Sequence, residues 1–402
     1  MKIALISEHY PPTSGGVATS TKRLSENFNN LNHETFVISF DATRPLESED
    51  FIIEEKYDKT KLYRVGPFFI KQKFIDRSSI PEKVKAIFRR RVLNLTLQIL
   101  KKEKPDIILS FYLLNAGYIS LFASRELKIP IVAGIRGNDI GRNIFHAERF
   151  SVIDWVVNGA DYLISVNNHL RNRTLLAFPN VHNKISVIHN GIGIKKFVTD
   201  KIINREKILR HTNWNDDDLI VVFAGNFREK KGVSIFVNAL LKVNNKKIKL
   251  LLIGPEIGGL ENKMIGEKWD KLKQQNQVYI TGHLERENVA EWLIGGDIVL
   301  MPSFDDGMAN SLLEGMLLGL APLVSPIFND IITHGKTGMI MDDFDSKSII
   351  KLLKYYHINR DKIKILGTNA SKYIVANHKP INEVKKYIEV FKKILNEKNS
   401  TL

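Results

Sequence analysis

The sequence predicts an α/β protein of two doubly wound domains, each built on a parallel sheet. Three observations predict it. Apolar strand-like runs alternate with helical stretches, which is the pattern of parallel sheets joined by crossover helices. The alternation loosens after residue 190 and restarts at LIVVFAG (219–225). The chain has 402 residues, and single hydrophobic cores stop growing at roughly 250–300. With 44% hydrophobic and 26% charged residues, the composition is globular.

The first strand is KIALIS (2–7), followed by the loop PPTSGG (11–16) and a helix with Leu24, Phe28 and Leu31 on one face. TFVISF (35–40) closes a βαβ unit. Further strands are read at DIILSF (106–111), PIVAGI (130–135) and YLISV (162–166). The second series runs from LIVVFAG through KLLLIG (249–254), QVYITG (277–282), DIVLMPS (297–303) and APLVS (321–325). The expected domains are 1–195 and 196–378, with 379–402 as a C-terminal helix. Its stretch INEVKKYIEVFKKIL (381–395) is amphipathic and is expected to pack back on the first domain. A long basic helix is read at 81–104. Val84, Phe88, Val92, Leu95 and Ile99 fall at helical spacing among Lys83, Lys85, Arg89, Arg90, Arg91, Lys101 and Lys102. It fits a solvated helix face, or a patch for anionic lipid.

Bulk properties narrow the chemistry. There is no cysteine, which excludes disulfides, thiolate metal sites and a cysteine nucleophile. No apolar run approaches the ~20 residues of a membrane span. The run before Glu8 and His9 is too short for the roughly 7–15-residue core of a signal peptide. The expected location is cytoplasmic, with peripheral contact at the inner face of the membrane. Net charge is +15, with 29 Lys and Arg against 20 Asp and Glu up to residue 200 and 30 against 24 beyond it. An excess in both halves points to anionic partners. No nucleic-acid-binding motif accompanies it, so nucleic acid is not expected.

The densest chemistry lies at DGMANSLLEGMLLG (306–319). A strand ends in a small-residue loop that opens a helix near Asn310 or Ser311, and ligands of open α/β sheets sit at such carboxyl ends. The loop offers backbone amides and a positive dipole end, and Gly307 and Ala309 let a ligand approach the backbone. Asp306 would reach the ligand from the loop. Glu314 would accept two hydrogen bonds from a vicinal diol. The same residues also read as a turn acid and a capping box, Ser311-Leu-Leu-Glu314. Upstream, FAGNFREKKGVSIF (223–236) places Arg228, Lys230 and Lys231 between a strand and a helix, where cations can hold a diphosphate. Lys230 reads as the solvated one of the three. Gly15 and Gly16 form a phosphate-type corner after the first strand, without the full G-x-G-x-x-G.

Together these segments resemble the retaining family 4 glycosyltransferases of the GT-B fold. The resemblance spans nearly the whole chain, through YPPTSGGVA (10–18), AGIRGNDIG (133–141), ADYLISVN (160–167), KISVIHNGI (184–192), AGNFREKKGV (224–233), VYITGHL (278–284), DIVLMPS and DGMANSLLEGMLLG. It implies two Rossmann-like domains facing across a cleft and a nucleotide-diphosphate sugar as donor, UDP-sugar favoured over GDP-sugar. It also implies an acceptor that is a glycan or a lipid-linked sugar, with no metal or other cofactor. Asp306 and Glu314 would occupy the family's E-x7-E acids, Glu314 at the ribose and Asp306, usually glutamate, at the transferred sugar. The backbone of Gly307, Met308, Ala309 and Asn310 would meet sugar and phosphate. Lys231 would match the diphosphate lysine, and Gly16 would approach the same group. Gly282, His283 and Leu284 would face the base. The family's usual arginine falls at Asn226, leaving Arg228 as its substitute. Its usual histidine is Arg136, so Arg136, Asn138 and Asp139, with Gly15, become acceptor or sugar residues. The implied reaction is a same-face displacement in which the leaving phosphate takes the acceptor's proton. A sugar-nucleotide epimerase and a degenerate, non-catalytic binding protein remain as alternatives. The D-x-D patterns in NDDDL (215–219) and DDFD (342–345) would point to a metal site, but the first reads as a solvated turn.

Overall fold

The computed structural model describes residues 1–13, 15–40, 51–66, 82–193, 200–256 and 259–400. The chain forms two compact units. Unit 1 comprises Met1–Gly191 with Pro380–Leu402, and unit 2 comprises Ile192–Lys379. The boundary read from sequence, 195/196, lies outside the described residues.

Elements are numbered along the chain. The strands of unit 1 are β1 (Lys2–Ser7), β2 (Glu34–Phe40), β3 (Ile52–Tyr57), β4 (Thr60–Val65), β5 (Ile107–Phe111), β6 (Ile131–Ile135), β7 (Tyr162–Ser165) and β8 (Ile185–Val187). They form one sheet in the order β3-β4-β2-β1-β5-β6-β7-β8, parallel except for the β3–β4 pair. Its helices are α1 (Gly16–Asn30), α2 (Glu82–Glu103), α3 (Asn115–Leu127), α4 (Asn138–Gly141), α5 (Ala147–Gly159), α6 (Asn168–Ala177) and the terminal α14 (Pro380–Asn399). The hairpin β3–β4 was not read from sequence. IIEEKY has an exposed, charged pattern, as an edge strand needs, so it lacks the apolar run of its inner neighbours.

The strands of unit 2 are β9 (Leu219–Ala224), β10 (Ile248–Ile253), β11 (Val278–Ile280), β12 (Ile298–Met301), β13 (Ala321–Val324) and β14 (Met339–Ile340). They are parallel, in the order β11-β10-β9-β12-β13-β14. Its helices are α7 (Lys201–Thr212), α8 (Val233–Val243), α9 (Gly259–Gln274), α10 (Arg286–Ile294), α11 (Asn310–Leu317), α12 (Ser346–Ile358) and α13 (Arg360–Asn377). Every residue of β9 and β10 is buried, as helices on both faces of a parallel sheet require.

The terminal helix completes the core of unit 1. Val384, Tyr387 and Phe391 are fully buried in the cluster that holds Ile3, Leu5, Leu24 and Phe28. The Phe391 ring stacks on Phe28 at 5.7 Å, and Tyr387 meets Phe28 edge-on at 6.2 Å. At its first turn, Glu383 accepts two hydrogen bonds from Arg23, at 2.9 and 3.1 Å, and one from the Gly191 amide at 2.8 Å. The charge is buried but fully paired, which keeps its burial tolerable.

The basic helix read at 81–104 is α2. Position 81 and the side chains of Lys83, Val84 and Lys85 lie outside the described residues. Arg89 and Arg90 are exposed, while Arg91 lies over the Phe51 ring at 4.5 Å. Among the described residues, no helix is long and apolar enough to cross a membrane.

Candidate functional site

The strand order of unit 2 reverses between β9 and β12. β9 leads back to β10 and β11, while β12 leads on to β13 and β14. Two crossover connections leave in opposite directions there, which opens a crevice at the carboxyl ends. Arg228 and Lys231 follow β9, and Asp306 follows β12. The fold thus brings together charges 75 residues apart. Lys231 Nζ donates to Asp306 Oδ2 at 2.6 Å, with both side chains mostly buried. The other carboxylate oxygen, Oδ1, accepts from the Gly307 amide at 2.9 Å.

The backbone fixes this pair closely. Lys231 lies in a short 3-10 turn, and its amide donates to the Arg228 carbonyl at 2.8 Å. Gly232 follows in the left-handed region at φ 77°, where a Cβ would stand 2.2 Å from the Pro302 carbonyl oxygen. Only glycine fits that approach. The Phe304 amide bonds the Lys230 carbonyl at 2.9 Å, so the two loops are laced together. Glu229 turns away and holds the start of α8 through Ser234 Oγ, at 2.6 Å. Arg228 and Lys230 are exposed, and the Arg228 side chain makes no hydrogen bond or ion pair to a described residue.

Helix α11 opens at Asn310 after Ala309, with no side-chain cap. Ser311 is therefore already inside the helix, and the capping-box reading of Ser311 is set aside. Gly307, Met308 and Ala309 are buried in the loop, and Glu314 is half-buried one turn in. Gly315 lets α11 lie on β12, since a Cβ there would come within 2.8 Å of Val299. Gly282 follows β11 at φ 72° and bridges to Gly254, with His283 exposed and Leu284 half-buried. Gly254 abuts Gly225, where its Cβ would sit 2.4 Å from the Gly225 carbonyl. The sequence reading assigned no role to Gly225 and Gly254. Their signal was a glycine at the end of each strand.

In unit 1 the order reverses between β1 and β5. Gly15, at φ 126°, leads into α1 at Gly16 after β1. The residues grouped with them after β6 behave differently from the expectation. Asp139 is fully buried and turns inward. Its carboxylate accepts from the amides of Arg136, Gly137 and Ile140, at 2.8–3.2 Å. Burial pushes its pKa up against those hydrogen bonds. Its role here is to shape the loop. Arg136 also points inward, stacked over Phe111 at 4.1 Å with Nη2 donating to Asn190 at 2.7 Å. Burial lowers its pKa, with Tyr387 and Glu383 opposing. Asn138 alone of the three is exposed.

The edge of unit 1 also carries groups the sequence reading missed. Glu8, after β1, accepts from the Asn115 amide at 3.2 Å at the start of α3, and burial raises its pKa. Tyr112, after β5, holds φ 121°, a conformation rare outside glycine. The D-x-D acids have local uses. Asp218 accepts from the Asn215 amide at 2.9 Å, Asp345 caps α12 through Ser348 at 2.8 Å, and Asp342 pairs with Lys351.

Family models match both units of the chain. The family model "Glycosyltransferase Family 4" matches residues 14–196, and "Glycosyl transferases group 1" matches 204–373. An uncharacterized glycosyltransferase of Methanocaldococcus jannaschii is 24% identical, over 98% of this chain and 99% of its own. The alpha-monoglucosyldiacylglycerol synthase of Streptococcus pneumoniae is 23% identical, over 85% of this chain and 75% of its own. Among solved structures, Anabaena HepE in complex with UDP-glucose superimposes with a TM-score of 0.74 at 15% identity, over 100% of both chains.

Proposed function

The chain belongs to the family 4, group 1 glycosyltransferases of the GT-B fold, and from that premise we propose a retaining, metal-independent transfer from a UDP-sugar to an acceptor hydroxyl in glycan or glycolipid assembly. The observation that carries this reading is the Lys231–Asp306 pair at the switch point of unit 2, beside the opening of α11. UDP is favoured because HepE holds UDP-glucose, and a glycolipid product because the pneumococcal relative is an alpha-monoglucosyldiacylglycerol synthase.

The residues divide the work. The donor diphosphate takes over the ammonium of Lys231, which frees Asp306 to accept from the sugar. Arg228 would add a second cation from the loop, and the Gly307–Asn310 backbone would meet the developing negative charge. Glu314 takes the ribose diol. The bond from the anomeric carbon to phosphate oxygen breaks as the bond to the acceptor oxygen forms on the same face. The acceptor's proton goes to the departing phosphate oxygen. Lysine, arginine and helix-end amides neutralise the leaving group, so activity is expected to survive EDTA. The family matches are to glycosyl transferases, which leaves the epimerase and degenerate-binder alternatives without support.

The test is thermal stability with UDP, GDP and ADP, for the wild type and Glu314→Ala. A ligand at ~100 times its Kd stabilises by roughly 2.7 kcal/mol. Stabilisation by UDP, lost in Glu314→Ala, is the expected result. No response to any of the three overturns the donor site. Membrane contact through the exposed Arg89 and Arg90 of α2 is tested with anionic vesicles, where release at high salt is expected. Absence of binding at low salt ends that part of the proposal.

A further inference from the structure

The helices of unit 1 divide between the two faces of its sheet. The crossovers from β4 to β5, β5 to β6, β6 to β7 and β7 to β8 all step the same way along the sheet, and β1 to β2 steps the other way. Right-handed crossovers therefore put α2, α3, α5 and α6 on one face and α1 on the other, where α14 joins it. The two faces differ in what they expose. Among the described residues, α1 and α14 carry no exposed large apolar side chain. The other face has Ile87 on α2, Phe122 on α3, Phe150 on α5 and Leu176 on α6, with Phe145 in the turn before α5. Phe145 is 75% exposed and Leu176 is 83% exposed.

Glycines set how the rings stand at the seam of α3 and α5. A Cβ on Gly117 would lie 3.1 Å from Val156, and one on Gly159 would lie 2.5 Å from Leu121, so the two helices close up on bare Cα atoms. Rings gather on the outer side of that seam. Phe122 meets Trp155 at 4.7 Å and Tyr118 at 5.0 Å, and Tyr118 meets Trp155 at 5.4 Å. Phe122 is exposed, and the two rings with polar tips are half-buried. Positive charge accompanies them. By sequence, α2, α3, α5 and α6 hold eleven Lys and Arg against five Asp and Glu, while α1 and α14 hold seven against four. Arg89, Arg90 and Arg125 are exposed, and Arg173 lies over the Phe145 ring at 5.9 Å.

We propose that this helical face of unit 1 docks on an anionic lipid bilayer, with Phe145 and the cluster of Tyr118, Phe122 and Trp155 entering the headgroup region. The proposal rests on the membrane contact read above for Arg89 and Arg90, and it names the whole face and the groups that insert. Tyrosine and tryptophan join an apolar ring to a polar tip, which suits the boundary between water and hydrocarbon. Cations on the same helices meet the lipid phosphates. A second copy of the chain would bring the same positive surplus to the contact and be repelled, whereas an anionic bilayer complements it.

Trp155 makes the test direct. It is the one tryptophan of unit 1, while Trp214, Trp269 and Trp292 are buried in unit 2. The full chain is mixed at low salt with vesicles of equal parts phosphatidylglycerol and phosphatidylcholine, and with vesicles of phosphatidylcholine alone. Each is prepared with and without acyl chains brominated near the headgroup. Cosedimentation reads binding, and tryptophan fluorescence reads insertion. Binding to the anionic vesicles with quenching by brominated lipid is expected, and Trp155→Phe should remove the quenching while still sedimenting. Phe122→Ser/Phe145→Ser should bind roughly tenfold more weakly, because two rings no longer leave water. Both rings are exposed, so this variant should fold and keep the wild-type thermal response to UDP. Binding without quenching, or equal binding by the double variant, overturns the inserted face and leaves the contact through Arg89 and Arg90 standing. Equal binding to phosphatidylcholine alone overturns the anionic requirement. No binding to either vesicle ends both readings. Self-association in sedimentation velocity that the double variant loses assigns the face to a second copy instead. The donor site is judged separately by the UDP response.

Discussion

Lys231 is the residue on which the proposed donor site turns. Its ammonium lies 2.6 Å from Asp306, so a donor diphosphate would exchange one anionic partner for another. Lys231→Ala is expected to lower kcat by more than it raises the donor Kd, because the charge it meets grows as the phosphate leaves. Steady-state kinetics with donor titration read the split. A second residue sets acid tolerance. Glu103 accepts from Lys2 at 2.8 Å, Lys61 at 2.8 Å and the Tyr63 hydroxyl. Burial would raise its pKa, but those three hydrogen bonds outweigh it and hold the value at about 2. A carboxylate depressed in the folded state stabilises above its unfolded pKa near 4.5 and loses that contribution as pH falls toward 2. Glu103→Gln should therefore cost roughly 1.5–3 kcal/mol at neutral pH, with the gap from wild type closing between pH 4.5 and 2 in denaturant unfolding.

Elements are held by contacts that leave no room for substitution. The turn from β9 into α8 needs φ 77° at Gly232 and a bare Cα against Pro302. Gly232→Ala should displace the loop that carries Lys231, costing more than about 1 kcal/mol of stability and lowering activity. Thermal melts and kcat measured together check it, and unchanged values for both would contradict the geometry. Helix α14 depends on its aromatic face. Phe391→Ala removes a fully buried ring stacked on Phe28 and should cost roughly 3–5 kcal/mol. Hydrogen exchange should then speed up along residues 380–399 and in the facing α1.

At the scale of the molecule, the chain enters unit 2 after Gly191 and returns at Pro380. The two crossings are neighbours within unit 1, where a Cβ on Gly191 would lie 2.5 Å from Pro380 Cα. Glu383 bonds the Gly191 amide and Arg23 together, so one carboxylate fastens both ends of the excursion to α1. Nucleotide should act on unit 2 first. UDP is expected to slow hydrogen exchange in the segments 225–232, 281–284 and 306–314, with little change at β3 and β4 of unit 1. Protection confined to unit 1 would contradict the assignment of the donor edge.

The sequence by itself determined the two doubly wound units, most of their inner strands and the positions of the acids and cations after β9 and β12. Buried parallel strands must be apolar throughout, and ligand loops must break that run with glycine and charge, so both are legible locally. It did not reveal β3, whose edge position lets it carry charge, or β4 beside it. The family resemblance also placed Arg136 and Asp139 among the acceptor or sugar residues. The tertiary structure turned both side chains inward, where backbone amides, Asn190 and the face of Phe111 hold them. The direct Lys231–Asp306 bond and the fit of Gly232 under Pro302 were likewise decided only by folding. Each joins residues distant in the chain, and a pattern of local spacing carries no information about which distant partner the sheet order will supply.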